Sequence, residues 1–299
     1  MIALSVGDIF CDWLDTTYAT DSPVIEDITS FVTENGAHCS HGDEKRRTYR
    51  FDSDLYKGSL VLENSSRFSR VSVSGSVLTH LRSLGLYLEF IGKLSTEAHN
   101  VSRMDLARDE HSDGADMIKK MRRKYSKPGV TCALGRKSLP VSYVTSVRAD
   151  GRETGTFYAG NRTRARVTGR VYDKQAQMLA VHGEKIKPTV RTEITVRGEN
   201  GRSSASLYDA IHPEKLFWHV ASPVLLKAPK GMPNWVSGWG GSWDYVVPEK
   251  LLPAESLARM VEYMPALDDL IAQADRINGD GGRKYLLRLL ETKFGLNDK

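Results

Sequence analysis

The run Arg162-Thr163-Arg164-Ala165-Arg166-Val167-Thr168-Gly169-Arg170-Val171-Tyr172-Asp173-Lys174 sets one phenol among closely spaced cations. Side chains two apart on a strand share a face. Arg166, Thr168, Arg170, Tyr172 and Lys174 then point one way, and Val167, Gly169 and Val171 the other. A core sheet rarely spends a whole face on cations, whereas a polyanion fits one. The charges would hold a phosphate and favour the phenolate. The chemistry expected is attack by the tyrosine oxygen on a nucleic-acid backbone, with Arg170 and Lys174 as its immediate helpers.

Two further segments share this layout. In Val190–Arg197, Val190, Ile194 and Val196 form an apolar side, and Arg191, Glu193, Thr195 and Arg197 form the other. In Ser102–Asp109, Met104 and Leu106 face a core while Arg103, Asp105 and Asp109 lie opposite. If the three strands adjoin, Asp105, Asp109 and Glu193 make a hard oxygen-ligand site for Mg2+ or Mn2+. Such an ion would polarise a phosphodiester and stabilise its leaving oxygen. Arg191 joins Arg170 and Lys174 as a candidate catalytic cation, while Asp12 and Asp15 are further carboxylates whose place in the site stays open. The plain alternative is a set of solvated strand faces, on which alternating charges are routine.

The bulk composition is that of a soluble globular chain of 299 residues with net charge +5 and pI near 9.0. The distribution of charge says more. Between Lys119 and Lys137 there are eight Lys or Arg and no acid, and between Asn161 and Arg191 eight against Asp173 and Glu184. Clusters of this kind are the footprint of phosphate binding. Lys119, Lys120, Arg122 and Arg123, with Arg162, Arg164 and Arg166, are the candidate DNA-backbone contacts. Cys11, Cys39 and Cys132 are too few and too scattered for a disulfide framework. No apolar run reaches membrane-spanning length and the first residues lack a basic leader, so a cytoplasmic protein without a membrane partner is expected.

These side chains need a scaffold. Residues 8–18, Ser59–Glu63, Arg67–Ser74, Val141–Val147, Thr154–Ala159 and Val167–Lys174 read as further strands, with Asn64-Ser65-Ser66 and Ala149-Asp150-Gly151 as hairpin turns. Helices are expected from Gly75 to about Leu84, after a Ser112 or Asp113 cap with Met117, Ile118, Met121 and Tyr125 inside, and from Gln175 to about His182. The pattern predicts an α+β fold, a mainly antiparallel central sheet with helices packed on one face. Residues 1–226 would form the catalytic domain and 227–248 a Pro/Gly/Trp-rich linker. Residues 249–299 would form a small helical C-terminal region. No internal repeat is evident.

Four segments resemble the replication initiation factor family, the Rep_trans-type rolling-circle initiators of plasmids and filamentous phages. They are Asp12–Tyr18, Ser102–Asp109, Phe157–Gly160 leading to Gly169–Lys174, and Arg191–Ile194, in the family's order across roughly residues 9–225. The resemblance implies a DNA-nicking and -joining enzyme in which Tyr172 is the nucleophile and Asp105, Asp109 and Glu193 hold a divalent metal. The attack would leave a 5′-phosphotyrosine link and free a 3′-hydroxyl to prime synthesis. Its partners would be a double-stranded origin with a single-stranded nick site, then host helicase and polymerase, with a homodimer as a further state. Relatives often carry a second lysine or a glutamate just after the tyrosine, where this chain has Gln175-Ala176-Gln177.

Other signals point less sharply. His38-Cys39-Ser40-His41 resembles half a metal clip that Cys11 would have to complete, without zinc-type spacing. Trp235, Trp239 and Trp243 would stack bases or, on the plainer reading, cap the helical region onto the sheet. A non-catalytic origin-binding or regulatory protein on the same scaffold is the rival reading. A tyrosine recombinase would need a helical catalytic domain with scattered arginines and histidines, and that pattern is absent from the sequence.

Overall fold

Apolar and polar residues alternate along several strands, most plainly Ser69–Ser74, Val167–Asp173 and Val190–Arg197, and that alternation builds a sheet with one dry face and one polar face. In the computed structural model the described residues are 8–51, 58–125, 132–134, 137–139, 141–148, 150–161, 165–198 and 205–221. The Trp-rich stretch and the expected C-terminal helices lie outside them, as do Arg162 and Arg164.

A long strand β1 (Ile9–Tyr18) leads into helix α1 (Val24–Glu34) and a meander of β2 (Ala37–Gly42), β3 (Arg46–Phe51), β4 (Leu60–Asn64) and β5 (Ser69–Ser74). Helices α2 (Gly75–Ser83) and α3 (Tyr87–Leu94) follow. A second long strand, β6 (His99–Glu110), leads into α4 (Gly114–Tyr125) and a two-stranded ribbon of β7 (Cys132–Leu134) and β8 (Lys137–Leu139). The chain continues through β9 (Val141–Val147), β10 (Glu153–Ala159), β11 (Val167–Asp173), α5 (Lys174–His182) and β12 (Val190–Arg197). Two short helices, α6 (Leu207–Ile211) and α7 (Glu214–Ala221), end the described part.

The ten main strands form one antiparallel sheet in the order β2-β3-β4-β5-β1-β6-β12-β11-β10-β9. This confirms the α+β architecture. It also shows a repeat that the residues do not display. Each half is a long strand, a helix, and a four-stranded meander whose last strand returns to pair with the long one. The long strands β1 and β6 join the halves at the centre of the sheet. The topology is duplicated although the sequence is not, because a meander constrains only polarity pattern and turns.

One continuous core lies on the dry face. Leu14, Val73, Met104, Leu106, Ile194, Val171 and Phe157 from the strands pack with Ile28, Leu78, Phe90, Ile118 and Phe217 from the helices. Helix α4 starts where expected because the Asp113 carboxylate accepts from the backbone N–H groups of Ala115 and Asp116. The clip His38-Cys39-Ser40-His41 lies on the exposed edge strand β2. Buried Cys11 is four strands away, about 19 Å at normal strand spacing, so it cannot complete a shared metal site. Among the described residues no helix is long and apolar enough to cross a membrane.

Candidate active site

The register brings the three charged strands together. On the polar face Tyr172 is opposite Arg191, Arg170 opposite Glu193, Arg191 opposite Asp109, and Thr195 opposite Asp105. On the other flank of β11, Thr156 and Tyr158 of β10 stand beside Tyr172 and Arg170. All of this lies in the second half. The matching β4–β5 pair of the first half offers Val61 and Ser72 instead, and a tight turn at Ser65–Phe68 where the second half inserts α5.

The phenol is not surrounded by free cations. Tyr172 is only 6% exposed, and its hydroxyl donates to Oε1 of Glu193 at 2.5 Å. Glu193, 1% exposed, takes the Arg170 guanidinium on its other oxygen. Arg170 lies 5.4 Å and the Lys174 ammonium 6.0 Å from the centre of the tyrosine ring. Arg191 donates from Nε and Nη2 to the two oxygens of Asp109, each at 2.7 Å, and from Nη1 to Asp12 at 3.0 Å. Asp105 is clasped by Arg103 at 3.0 and 2.6 Å. The polar face is a lattice of arginine–carboxylate pairs, not a cationic surface.

That lattice reverses one expectation. Burial raises the Tyr172 pKa well above the usual phenol value and the Glu193 carboxylate adds to it, outweighing the lowering by Arg191 and Arg170. The cations therefore do not favour a resting phenolate. What the geometry supplies instead is a proton acceptor, Glu193, already in contact with the hydroxyl. Burial also pushes Asp12 up to about 6 despite its arginine partner. Lys174 is brought down to about 8, first by burial and then by Arg191.

Lys174 departs from the expected strand. Asp173 ends β11 and caps α5, accepting from the backbone N–H of Ala176 at 3.0 Å, so Lys174 is the helix's first residue. Its ammonium donates to Gln177 Oε1 at 2.8 Å. Asp173 is also held by Arg148 at 2.7 Å and Thr154 at 2.6 Å, which fixes the end of the strand next to Tyr172. The Cα atom of Gly114 comes so close to Asp173 that a Cβ there would sit 2.4 Å from its Cγ. Asp173 and Arg148 were not singled out from the sequence, while Asp12, a carboxylate whose place was left open, stands beside Asp109 as a partner of Arg191. An aspartate directly before a helical segment was the signal available for the first.

The expected metal ligands fit poorly as a group. Asp105 and Asp109 lie on one face of β6 but four residues apart, about 13 Å between Cα atoms. Two short carboxylates cannot span that distance to one ion with metal–oxygen contacts of about 2.1 Å. Each of the three carboxylates is also engaged by an arginine. Among the described residues no cluster of three or more His, Cys, Asp or Glu is arranged to hold a metal.

The α4 cations stand elsewhere. Lys119, Lys120, Arg122 and Arg123 are exposed, and Arg122 pairs with Glu153. Met121 of the same helix accepts from the Tyr143 hydroxyl at 3.1 Å, and Tyr143 packs on Phe157 on the dry side. Helix α4 therefore crosses the face opposite Tyr172 and does not flank it, so its candidate backbone contacts stand away from the phenol. Arg166 is exposed just before β11. Changing Lys119, Lys120 and Arg123 together to Ala should flatten the slope of log affinity against log salt by less than about one unit, where three phosphate contacts would give nearly three. Anisotropy titrations of labelled duplex across a salt series measure this.

No family model matches the chain, and no curated protein matches it. Among solved structures it is similar to the di-domain ARO/CYC BexL from the BE-7585A biosynthetic pathway. The identity is 12%, over 68% of this chain and 92% of that one, with a TM-score of 0.20.

Proposed function

We propose that the chain nicks and rejoins DNA through a covalent tyrosine intermediate, as an initiator of rolling-circle replication. The observation that carries this reading is the contact between the Tyr172 hydroxyl and the Glu193 carboxylate, with Arg170, Arg191 and Lys174 around it. The resemblance of the Gly169–Lys174 and Arg191–Ile194 segments to replication initiators points to the same substrate. In the proposed step Glu193 takes the phenolic proton as the tyrosine oxygen bonds to phosphorus. The bond from phosphorus to the 3′-oxygen breaks, and the Lys174 ammonium protonates the departing oxygen. Arg170 and Arg191, freed in part from their carboxylates as Glu193 takes the proton and the phosphate enters, are the cations proposed to stabilise charge on the phosphoryl oxygens. The reverse sequence rejoins the strand without a nucleotide cofactor, because the phosphotyrosine keeps the bond energy.

The decisive assay is incubation with supercoiled DNA carrying the chain's own gene, followed by mass spectrometry for a phosphotyrosyl peptide. An adduct at Tyr172 supports the reading, and an adduct at another residue or none overturns it. Running the assay with EDTA and with added Mg2+ or Mn2+ reads separately whether a dication takes part. The burial of Tyr172 favours a second reading, a non-catalytic DNA-binding protein in which its hydrogen bond is structural. That protein would bind the origin and give no adduct.

The lysine sets a pH limit. With a pKa near 8, Lys174 loses its charge, and its role as proton donor, as pH rises through that value. Cleavage should fall over the same range, and Lys174→Arg, charged throughout, should retain a binding charge without restoring proton donation. Its folded-state pKa is below the ordinary 10.5, so the unfolded chain binds more protons between about 8 and 10.5. This group therefore makes stability rise with pH across that window, which urea titrations at several pH values would follow.

A further inference from the structure

The helix that the second half inserts where the first half has a tight turn makes a cleft. Helix α5 buries none of its own residues, yet it overhangs β9, β10 and β11 and borders an open cleft of about 260 Å3 beside the phenol. Tyr172 and Arg170 form part of its wall, and Asp173 its end. We infer that this cleft holds one base of single-stranded DNA next to the scissile phosphate, and so determines which nucleotide is accepted there. The inference rests on the proposed nicking reaction for its place in function, but not for the binding itself.

Three observations select a base over other occupants. First, the charges are already used. Arg170 is paired with Glu193 and Asp173 with Arg148, so the lining is neutral overall and suits an uncharged group better than a phosphate. Second, the polar lining is hydroxyl and amide, from Ser146, Thr156, Tyr158 and Gln177, the groups that read donor and acceptor patterns on a base edge. Gln177 accepts from Lys174 through Oε1, and its Nε2 donors have no protein partner among the described residues. Third, Ala176, Ala180 and Val181 give α5 a small apolar side toward the cleft, a surface for the face of a ring. The volume is below the roughly 300–1,000 Å3 usual for drug-sized ligands, which fits one base and not a stretch of chain.

The arrangement also links holding and cutting. Asp173 caps α5 and follows Tyr172 directly, so a base seated under α5 would bear on the helix whose first residue is Lys174. A correctly held nucleotide would thus fix the phosphate against the phenol and the ammonium together, the positioning on which reaction rates depend steeply.

Ala180→Trp fills the cleft from an exposed helix position and leaves the core untouched. Saturation-transfer NMR with the four deoxynucleoside 5′-monophosphates should show transfer to base protons of at least one in the wild type. That signal should be lost in the filled variant. Equal transfer in both proteins, or none in the wild type, overturns the cleft assignment whether or not the chain cuts DNA. In the cleavage assay Ala180→Trp should lower single-turnover nicking on the order of 100-fold while affinity for long duplex stays the same. Gln177→Ala should reduce discrimination among the four bases at one position beside the nick by about fivefold, the worth of one hydrogen bond. Nicking by Ala180→Trp at the wild-type rate would refute the inference and leave the proposed reaction standing. Absence of any wild-type adduct would instead remove the reaction and leave the binding result to stand alone.

Discussion

Tyr172→Phe should abolish the covalent protein–DNA adduct while leaving the fold and most of the DNA affinity in place. The substitution deletes one oxygen, and that oxygen is the atom proposed to bond to phosphorus. Loss of a nucleophile in a covalent mechanism costs on the order of 10⁴–10⁶ in rate. The ring stays packed between Arg170 and Lys174, so the site keeps its shape. Glu193 loses one donor but keeps Arg170, a change that should cost about 1–2 kcal/mol of stability. Denaturing gels of the labelled-DNA reaction read the adduct, and a urea melt reads the fold. An adduct that persists in a folded Phe variant would move the nucleophile elsewhere, with Tyr158 on the neighbouring strand the first residue to examine.

The sequence carried the sheet more fully than the site. Strands Val141–Val147 and Val190–Arg197 have the bounds expected from alternation alone, since period-two polarity is a local property. The helix after Asp113 and the turn after Asn64 followed from capping and turn chemistry in the same way. What stayed hidden depends on distant partners. Strand β2 is exposed but for Ala37 and is placed by pairing with β3, which pairs in turn with β4. Helix α1 is the exception, for its apolar stripe of Val24, Ile25, Ile28, Phe31 and Val32 has a helical spacing that was legible and was missed. The duplicated topology is invisible because no residue needs to repeat for two meanders to share an order of strands.

Within the site, strand periodicity put Tyr172, Glu193, and Asp105 with Asp109 each on the charged face of its own strand, and the strand order then set those faces side by side. Their pairing was not legible from the sequence. A list of arginines near a tyrosine reads as a cationic patch until register shows each guanidinium facing a carboxylate. Arg170 lies opposite Glu193, and Arg191 lies opposite Asp109. The spacing along β6 likewise decides against one ion shared by Asp105 and Asp109, a length that was present in the numbering but mattered only once the strand was known to pair without a break through both. The side of the sheet on which α4 lies could not be read from the sequence at all, because its amphipathic pattern gives an inner face but not which layer that face meets.

Glu193→Gln tests the proton path itself. The glutamine is nearly isosteric and its oxygen can still accept from the phenol, but it can neither take the proton nor neutralise Arg170. Removing a positioned general base costs about 10²–10⁴ in rate, so nicking of DNA already bound should fall by that much. Stability should drop by about 1–3 kcal/mol, below the cost of breaking a fully buried pair, because the Arg170 side chain is 35% exposed and solvent screens it. A structural role alone would predict the stability loss without a change in pH response. The base role predicts a specific one. Without an acceptor the reaction must wait for the phenolate, whose fraction grows about tenfold per pH unit below the phenol pKa. Between about pH 6 and 8 the residual rate of the Gln variant should climb with that slope, while Glu193→Asp, which keeps a carboxylate, should follow the flatter wild-type profile at reduced rate. A Gln variant that stays folded and nicks at the wild-type rate would leave Glu193 as a partner in the arginine lattice and shift the search for the base to Asp12. Asp12 shares Arg191 with Asp109, and burial pushes its pKa up to about 6.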